Sequence, residues 1–408
     1  MATDRSQAIT DRASVARARA WLAAQLNVLG SEEIAIPQVA GRILAAEVRS
    51  NLDLPPFDRA AVDGIAVRAD ETIGASTYNP SVFRWASACA DLPVGAAMRI
   101  SAGEPLPSGA DAIVRSEHVG LDERAAGTVT EPVMTGSGAE RKGSQSRQDG
   151  TLLTAGRRLR PSDIGVLASA GLTSVSVIRK PRVRCLVAEG TIEAGRPLPA
   201  GKVYDANQPL LCALSERDGA IVVEQRMIAR DRASLCQALL VPGGDIILMA
   251  GGTGTGANDH AAAALAEAGE LVIRGIALRH AETTAVGIAA GVPVLLLPGT
   301  PVGCLLAYEC LAGPVIRRLG GGDPTFPFPP RRMTAARKFV SELSMTELRP
   351  VRCLGEDLVE PIAAVAEAGL KTMSQADGFV LIPEESEGYP QGASVTVYLY
   401  DGHERAQS

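Results

Sequence analysis

The clearest pattern along the chain is a series of unbroken apolar runs between residues 182 and 320. Three of these runs are VRCLVA, DIILMA and PVLLLP, and stretches with helical spacing separate them, including PLLCALSERDGA, HAAAALAEAG and CLLAYECLAGPVIRRL. A strand that is apolar at every position is typical of a parallel sheet covered by helices on both faces. The pattern therefore predicts a doubly wound α/β domain over residues 181–320.

Helical patterns come before this domain. Residues 11–28 place apolar side chains at helical spacing, and the segment IPQVAGRILAAEV predicts a second helix. A third helix is predicted in RPSDIGVLASAGL, where Ser162 or Asp163 can cap the first turn and Gly171 can end the last. We expect these segments to form an extended helical or linker domain.

Two further regions carry the signature of short strands. Residues 51–150 contain short apolar pieces separated by Gly, Pro and Ser, which predicts a β-rich domain inserted between residues 1–50 and 151–180 of the linker domain. The proline-rich stretch GGDPTFPFPPR cannot continue a helix and is predicted to be a linker. Residues 332–408 then alternate as a small C-terminal β domain. The expected fold class is multidomain α/β and β.

Composition and charge exclude several functions. The net charge is −6 without a long basic run, so we expect no nucleic-acid partner. No apolar run reaches the roughly 20 residues that a membrane span needs, and the N-terminus has no apolar signal core. The cysteines show no CxxC spacing and several lie in apolar runs, so we expect reduced core residues in a cytoplasmic protein: Cys89, Cys185, Cys212, Cys236, Cys304, Cys310 and Cys353.

Three loops are predicted to meet at one edge of the parallel sheet, because each follows an apolar strand. Backbone N–H groups and helix N-termini at such an edge favour anions. The alternative for the acidic residue of the glycine-rich loop is that it only caps the next helix, and the loop has neither the Walker spacing nor GxGxxG. The candidate residues are Glu189 and Glu193 after the first run, Gly251, Gly252, Gly254, Gly256 and Asp259 after the second, and Pro298, Gly299 and Pro301 after the third.

The stretch PPFDRAAVDG at residues 55–64 has neither helical nor strand period. With the residues that follow, it resembles the signature PpFDnSaMDGyAvra of the molybdopterin molybdenumtransferases. Further segments are similar to motifs of that family in the same order: RISAGEPLPSGADAIVRSEHV, VYDAN, GGTGTGAND, LLPGTPVG and ADGFVLIPEESEGYPQGASVTVYL.

The resemblance implies a homodimer of four-part subunits that takes adenylylated molybdopterin and molybdate, hydrolyses the adenylate with Mg²⁺ and releases AMP. It implies that the DRAAVDG loop reaches the cleft of the partner subunit and that Pro55 and Pro56 fix the chain so that Asp58 and Asp63 project toward a ligand. The alternative is a turn in which both aspartates bond their own backbone. The implied catalytic residues are Asp63, Asp58, Glu117 and Glu189, with Asp63 and Asp259 as metal ligands.

The resemblance also bears on three other side chains. Arg349 matches the family's arginine before its last strands and is expected to hold molybdate bidentately. Glu117 has the alternative of a salt bridge on a solvated face. Lys371 has the alternative of an ordinary surface lysine.

Several positions depart from the family pattern. The family's threonine is Ala102, its glutamate falls at Gly190 with Glu189 adjacent, an aspartate is Ala257 and a lysine is Glu282. The losses can be compensated by Glu189, by Asp149, which survives beside Arg147, or by His280. Three functions are therefore open: the transferase, a paralogue that carries the pterin or serves one molybdenum enzyme as an insertion partner, and a scaffold without a ligand. A separate molybdopterin adenylyltransferase is a further possible partner.

Overall fold

The computed structural model describes residues 11–87, 90–122, 126–362 and 365–400. Its contacts divide the chain into two compact units, one of Met1–Gly30 with Ile178–Ser408 and one of Ser31–Val177. Cys89 lies outside the described residues. The division into four domains at the sequence-based boundaries stays a prediction. Within the described segments no helix is both long and apolar enough to cross a membrane.

The predicted N-terminal helix is present as α1 (Val15–Ala24). Its buried residues, Val15, Ala18 and Leu22, follow the helical repeat. Ser14 caps the first turn, because its Oγ accepts the Arg17 backbone N–H at 3.0 Å.

The unit Ser31–Val177 is built mainly of short strands, with one α-helix in its described part. A six-stranded sheet has the order β7-β4-β6-β5-β9-β8, and the pairs β1–β12, β2–β11 and β3–β10 lie outside it. The inserted β domain is thus confirmed. The elements are β1 (Ser31–Ala35), β2 (Val48–Arg49), β3 (Arg59–Ala60), β4 (Gly64–Val67), β5 (Ser81–Trp85), β6 (Ala96–Ile100), β7 (Ala112–Arg115), β8 (Val119–Asp122), β9 (Ala126–Val129), β10 (Ala139–Glu140), β11 (Thr151–Leu153), α2 (Pro161–Ser169) and β12 (Ser174–Ile178).

The prediction of a helix in IPQVAGRILAAEV is wrong. The segment forms only a 3₁₀ turn at Ile36–Gln38, and Gly41 has a φ of 73°. Leu44 then forms a β-bridge with Val177. The apolar residues matched a helical repeat, but Pro37 sits in a single turn and the left-handed glycine ends it, so the next residues are extended.

Helix α2 confirms the third prediction, although its cap differs in detail. The flanking residue is Arg160, and Asp163 lies in the first turn, where it accepts the Arg160 backbone N–H at 2.9 Å. The Arg157 guanidinium donates to both oxygens of the same carboxylate at 2.9 Å. This arrangement holds the pKa of Asp163 below its usual range, chiefly through the hydrogen bond from Arg157.

The α/β domain has a six-stranded sheet of order β14-β13-β15-β18-β17-β16, in which β14, β13, β15 and β18 are parallel. Strand β17 runs antiparallel to both of its neighbours, β18 and β16. A π-helical segment, Tyr308–Ala312, joins α6 to α7. The elements are β13 (Arg182–Ala188), α3 (Asn207–Arg217), β14 (Ile221–Ile228), α4 (Arg232–Leu240), β15 (Ile246–Ala250), α5 (Ala261–Ala268), β16 (Gly269–Arg274), β17 (Ala285–Ala289), β18 (Val292–Leu297), α6 (Pro301–Ala307) and α7 (Gly313–Leu319).

Successive residues of β15 belong to different cores. Ile246 and Leu248 pack into the cluster that includes α3 and α6, whereas Ile247 and Met249 pack against α4 and α5. A strand buried on both faces cannot alternate apolar with polar residues, which explains the unbroken runs. The doubly wound prediction is confirmed.

The C-terminal β domain is also confirmed. It is a closed barrel of order β19-β22-β21-β23-β25, with β20 and β24 paired beside it. The proline-rich stretch before it is packed, because Phe326 and Phe328 lie edge-on to Phe379. The elements are β19 (Pro330–Ala335), β20 (Phe339–Val340), β21 (Glu347–Cys353), β22 (Leu358–Pro361), α8 (Val365–Gln375, interrupted at Gly369), β23 (Gly378–Ile382), β24 (Gly388–Tyr389) and β25 (Ser394–Leu399).

Candidate functional site

The carboxyl ends of the parallel strands lie along one edge of the α/β sheet. The chain leaves β13, adds β14 on one side and later adds β15 on the other, so the strand order reverses between β13 and β15. Ligands of open α/β sheets bind in the crevice at such a switch point. The predicted loops after β13, β15 and β18 all begin along this edge.

The glycine-rich loop and the proline loop touch backbone to backbone. The Gly251 N–H donates to the Leu297 carbonyl at 3.0 Å. A Cβ atom on Gly299 would lie 3.3 Å from the Gly251 Cα, and Gly251 and Gly252 have φ angles of 92° and 67°. Side chains at these positions would separate the loops or strain the turn.

Asp259 closes the glycine-rich loop instead of capping a helix. Its Oδ2 accepts the Gly256 N–H at 3.0 Å, and its Oδ1 accepts a hydrogen bond from Arg230 Nη2 at 2.7 Å. Helix α5 begins two residues later, with His260 as its N-cap and no side-chain cap. The capping alternative is therefore wrong. A Cβ on Gly254 would lie 2.5 Å from the same carboxylate, so this loop is tight around Asp259.

Arg230 is a residue that the sequence analysis missed. It follows β14, whereas its partner follows β15 and a different strand, β13, separates them in the sheet. The only available signal was a basic residue directly after the carboxyl end of a strand.

The proline loop is held by the start of α3. The Asn207 side-chain amide donates to the Gly299 carbonyl at 2.9 Å. Asp205 accepts the backbone N–H groups of Asn207 and Gln208 at 3.0 and 3.2 Å. The segment VYDAN thus positions the Pro298–Pro301 turn. Pro301 lies at the first position of α6, where its missing N–H has no cost.

A cavity of about 600 Å³ opens beside the loop that follows β13. Its lining includes Glu189, Gly190, Thr191, Arg196, Lys202 and Arg226. Glu193, another lining residue, pairs with Arg196 at 2.9 Å. The Thr191 Oγ1 is buried without a hydrogen-bond partner among the described residues. The lining therefore carries three cations against two carboxylates, and Arg226 is also paired, with Glu224 at 3.2 Å. This mixed set suits a polar ligand that has both acceptor and donor groups.

The loop before β17 carries Glu282 in place of the expected lysine. Its Oε1 accepts the His280 backbone N–H at 3.0 Å, and His280 has a φ of 66°. Burial lowers the pKa of His280, and the neighbouring Arg279 charge lowers it further. A neutral imidazole is therefore expected at pH 7, and the compensating role proposed for His280 stays a prediction.

Arg349 lies in β21 with part of its guanidinium already engaged. Its Nη2 donates to the Val340 carbonyl at 2.6 Å, and its Nε lies 3.1 Å from Oε1 of the buried Glu347. Molybdate binding by Arg349 stays a prediction. Lys371 is exposed on α8, as its alternative expected.

Asp63, in the unit Ser31–Val177, lies just before β4, which is paired on both sides in its sheet. Its Oδ1 accepts the Ala102 backbone N–H at 2.7 Å, and its carbonyl accepts the Ser116 N–H at 3.3 Å. A cavity of about 370 Å³ is lined by Asp63 together with Arg99, Ser101 and Glu104. Ala102 stands where the family has threonine. Because its contact with Asp63 is made by the backbone N–H, replacement of threonine by alanine keeps this hydrogen bond.

Asp58 tethers a distant segment. Its Oδ1 accepts the Lys142 backbone N–H at 2.7 Å, and its Oδ2 accepts a hydrogen bond from Arg141 at 2.8 Å. Both aspartates therefore accept from segments outside their own turn, Asp63 from Ala102 and Asp58 from Arg141 and Lys142, so the alternative of a locally capped turn is wrong. The Leu54–Pro55 peptide bond before them is cis.

Glu117 is 62% exposed and lies 3.8 Å from Arg115. This position agrees with the alternative of a salt bridge on a solvated face, while a catalytic role stays a prediction. Asp149, with a φ of 62°, contributes its backbone N–H to the Ser50 carbonyl.

We expect Asp58→Ala to lower the free energy of unfolding by about 1 kcal/mol at pH 7, a value discounted because the carboxylate is 38% exposed. The Lys142 N–H and then Arg141 hold the pKa of Asp58 below its usual value of 3.8. A lowered folded-state pKa gives stability that is present above 3.8 and lost as pH falls through the folded value. Urea unfolding of wild type and Asp58→Ala at pH 7 and near pH 3 measures this effect. The difference in the free energy of unfolding between the two proteins should be smaller near pH 3, and a difference that is the same at both pH values would contradict the prediction.

The described residues do not form a metal site within one chain. No group of three or more His, Cys, Asp or Glu side chains capable of holding an ion occurs in the described segments. Asp259 is bound to Arg230, and Asp63 lies in the other unit. Mg²⁺ binding by Asp63 and Asp259 stays a prediction, because Mg²⁺ at phosphate sites takes only one or two carboxylates together with substrate oxygens and water.

Comparisons with known proteins agree along the length of the chain. A model of the MoeA N-terminal region (domain I and II) matches residues 13–171, one described as "Probable molybdopterin binding domain" matches residues 188–318, and one of the MoeA C-terminal region (domain IV) matches residues 332–400.

Individual relatives extend over the same range. The chain is 29% identical over 395 residues to molybdopterin molybdenumtransferase 2 of Mycobacterium tuberculosis, covering 90% of this chain and 94% of the relative. It is 27% identical over 391 residues to the molybdopterin molybdenumtransferase of Bacillus subtilis, covering 90% of each. A solved molybdopterin biosynthesis MoeA protein from Pyrococcus horikoshii is 30% identical, with a TM-score of 0.79 over 96% of this chain and 100% of that chain.

Proposed function

This chain belongs to the MoeA family of molybdopterin biosynthesis proteins, and on that premise we propose that it is a molybdopterin molybdenumtransferase of molybdenum cofactor biosynthesis. Its substrates are adenylylated molybdopterin and molybdate, and its products are AMP and molybdenum-loaded cofactor. The observation that carries the proposal is the meeting of the glycine-rich and proline loops at the switch point, beside a polar cavity of about 600 Å³.

Different groups bind the phosphates and activate the attacking water. Backbone N–H groups of the glycine-rich loop and the cations of the cavity bind the phosphates. In the proposed homodimer, Asp63 of the partner subunit accepts a proton from the attacking water, whose oxygen bonds to the adenylyl phosphorus while the bridging oxygen leaves with the molybdopterin phosphate. The Ala102 N–H holds one carboxylate oxygen and leaves the other for this contact.

A carrier function is the second candidate. It is favoured by Gly190 and Ala257, where the family carries acids, and by the pairing of Asp259 with Arg230. A protein with these features would hold the pterin and pass it to a molybdenum enzyme without hydrolysing the adenylate.

The homodimer and the cytoplasmic location also stay proposals, and sedimentation of the purified protein tests the first.

The deciding experiment follows AMP release by chromatography after the protein is mixed with adenylylated molybdopterin and Mg²⁺, with and without molybdate. We expect AMP release that depends on molybdate, together with activation of a cofactor-free molybdenum enzyme by the product. Tight binding of the substrate without AMP release would favour the carrier. Failure to bind the substrate would contradict both functions.

A further inference from the structure

The Arg230 guanidinium joins the ends of three strands. Its Nη2 donates to the Asp259 Oδ1 at 2.7 Å, and its Nη1 lies 3.6 Å from where a Cβ on Gly190 would be. Gly190 follows β13 and lines the cavity of about 600 Å³. The arginine side chain is 44% exposed, and Asp259 is 17% exposed. A solvent-accessible cation therefore stands at the switch point, fixed by a largely covered carboxylate.

This arrangement disfavours a divalent cation at the same place. Both Asp259 oxygens are engaged, one by Arg230 and the other by the Gly256 N–H. The neighbouring positions Gly190 and Ala257 offer no side-chain oxygen. Mg²⁺ takes an octahedron of oxygen ligands, and a guanidinium at hydrogen-bond distance from the Asp259 carboxylate would repel an ion bound there.

We propose that Arg230 supplies a positive charge at the switch point where a metal ion would otherwise be needed, so that a diphosphate ligand binds here without a divalent cation. The ligand class rests on the proposed function, in which the substrate carries a diphosphate between pterin and adenosine. Asp259 acts as a positioning residue, because it fixes one edge of the guanidinium and leaves Nη1 directed toward the loop after β13. A planar guanidinium can then contact two phosphate oxygens, as a point charge cannot.

The probe for this proposal is ADP, which contains an adenosine diphosphate group and is stable in calorimetry. We expect the wild-type Kd for ADP to agree within about 2-fold between buffers with EDTA and with Mg²⁺. Arg230→Gln should weaken ADP binding in EDTA at least about 10-fold, the loss typical of a charged hydrogen-bonding group.

Arg232→Gln is the matched control. Arg232 lies two residues further along and pairs with Glu267 on α5 at 2.6 Å, with 56% of its side chain exposed. The substitution removes the same charge from the same segment and breaks an ion pair to the same helix, but away from the glycine-rich loop. Its Kd for ADP should stay within about 2-fold of wild type.

Asp259→Asn distinguishes the Arg230 guanidinium from a divalent metal ion as the cation that binds the phosphates. The variant keeps an amide oxygen for the Gly256 N–H but removes the charge that a metal would need. If Arg230 is the cation, ADP binding in EDTA persists but is weakened, by less than in Arg230→Gln, because the guanidinium keeps its charge and loses the carboxylate that orients it. If a metal is the cation, the variant loses ADP binding that wild type shows only with Mg²⁺.

Each outcome decides the proposal. Binding that requires Mg²⁺, or an Arg230→Gln variant that binds like Arg232→Gln, would overturn the role of Arg230 and leave the transferase function intact. Absence of ADP binding by wild type, with or without Mg²⁺, would count against both the role of Arg230 and the transferase function. AMP release from adenylylated molybdopterin, measured separately, shows whether the proposed function survives alone.

Discussion

Asp63→Asn is expected to lower molybdate-dependent AMP release by at least about 100-fold while changing the affinity for adenylylated molybdopterin by less than about 3-fold, as loss of a general base does. The asparagine keeps an oxygen for the Ala102 N–H, which Asp63 binds at 2.7 Å. The loop geometry is therefore preserved, and only the charge and the basicity are removed. Single-turnover AMP release, with binding measured separately, distinguishes the two effects.

Asp70→Asn provides the control for this experiment. Asp70 is exposed on a 3₁₀ turn, Ala69–Thr72, in the same unit as Asp63, and does not line its cavity. The same chemical change there should leave AMP release within about 2-fold of wild type. Unchanged turnover in Asp63→Asn would remove this residue from the mechanism, whereas parallel loss of affinity would assign it to substrate binding.

The α/β domain was predictable because its signal is local and unambiguous. A strand such as β15, buried on both faces, must be apolar at every position, and glycine must follow it where two loops approach closely. The segment after Ile36 misled the same reasoning, since its apolar spacing suited a helix but Pro37 and Gly41 allow only one turn. Spacing predicts which face is apolar, whereas the turn residues decide whether a helix can form.

The side-chain partners in the site were less accessible from the sequence. The contact of Arg230 with Asp259 joins segments that follow different strands, and it depends on the strand order in the sheet. The tether from Asp58 to Lys142 likewise spans 84 positions of the chain. Motifs identified Asp58 and Asp259 as candidates, but their contacts required a fold in which those distant residues meet.

Gly64→Ala is expected to lower the free energy of unfolding of the unit Ser31–Val177 by about 3 kcal/mol or more and to reduce AMP release with it. Gly64 pairs with Ile100 on one side and Arg115 on the other. A Cβ atom there would lie 2.0 Å from the Val114 carbonyl oxygen, which belongs to the backbone of β7. Backbone cannot move aside as a flexible side chain can, so the methyl group must break the pairing of β4 with β7 and displace the adjacent Asp63.

Urea unfolding followed by Trp85 fluorescence in a Trp21→Phe background measures this effect, because Trp85 lies in β5 of the same sheet and the chain has 2 tryptophans. Gly165→Ala is the matched control in the same unit. Gly165 lies inside α2 with nothing within 4 Å of its Cβ position, so alanine should stabilise the unit by up to about 1 kcal/mol. Equal stabilities of the two variants would show that β4 tolerates a side chain at Gly64, and the need for glycine beside Asp63 would then have to come from the ligand.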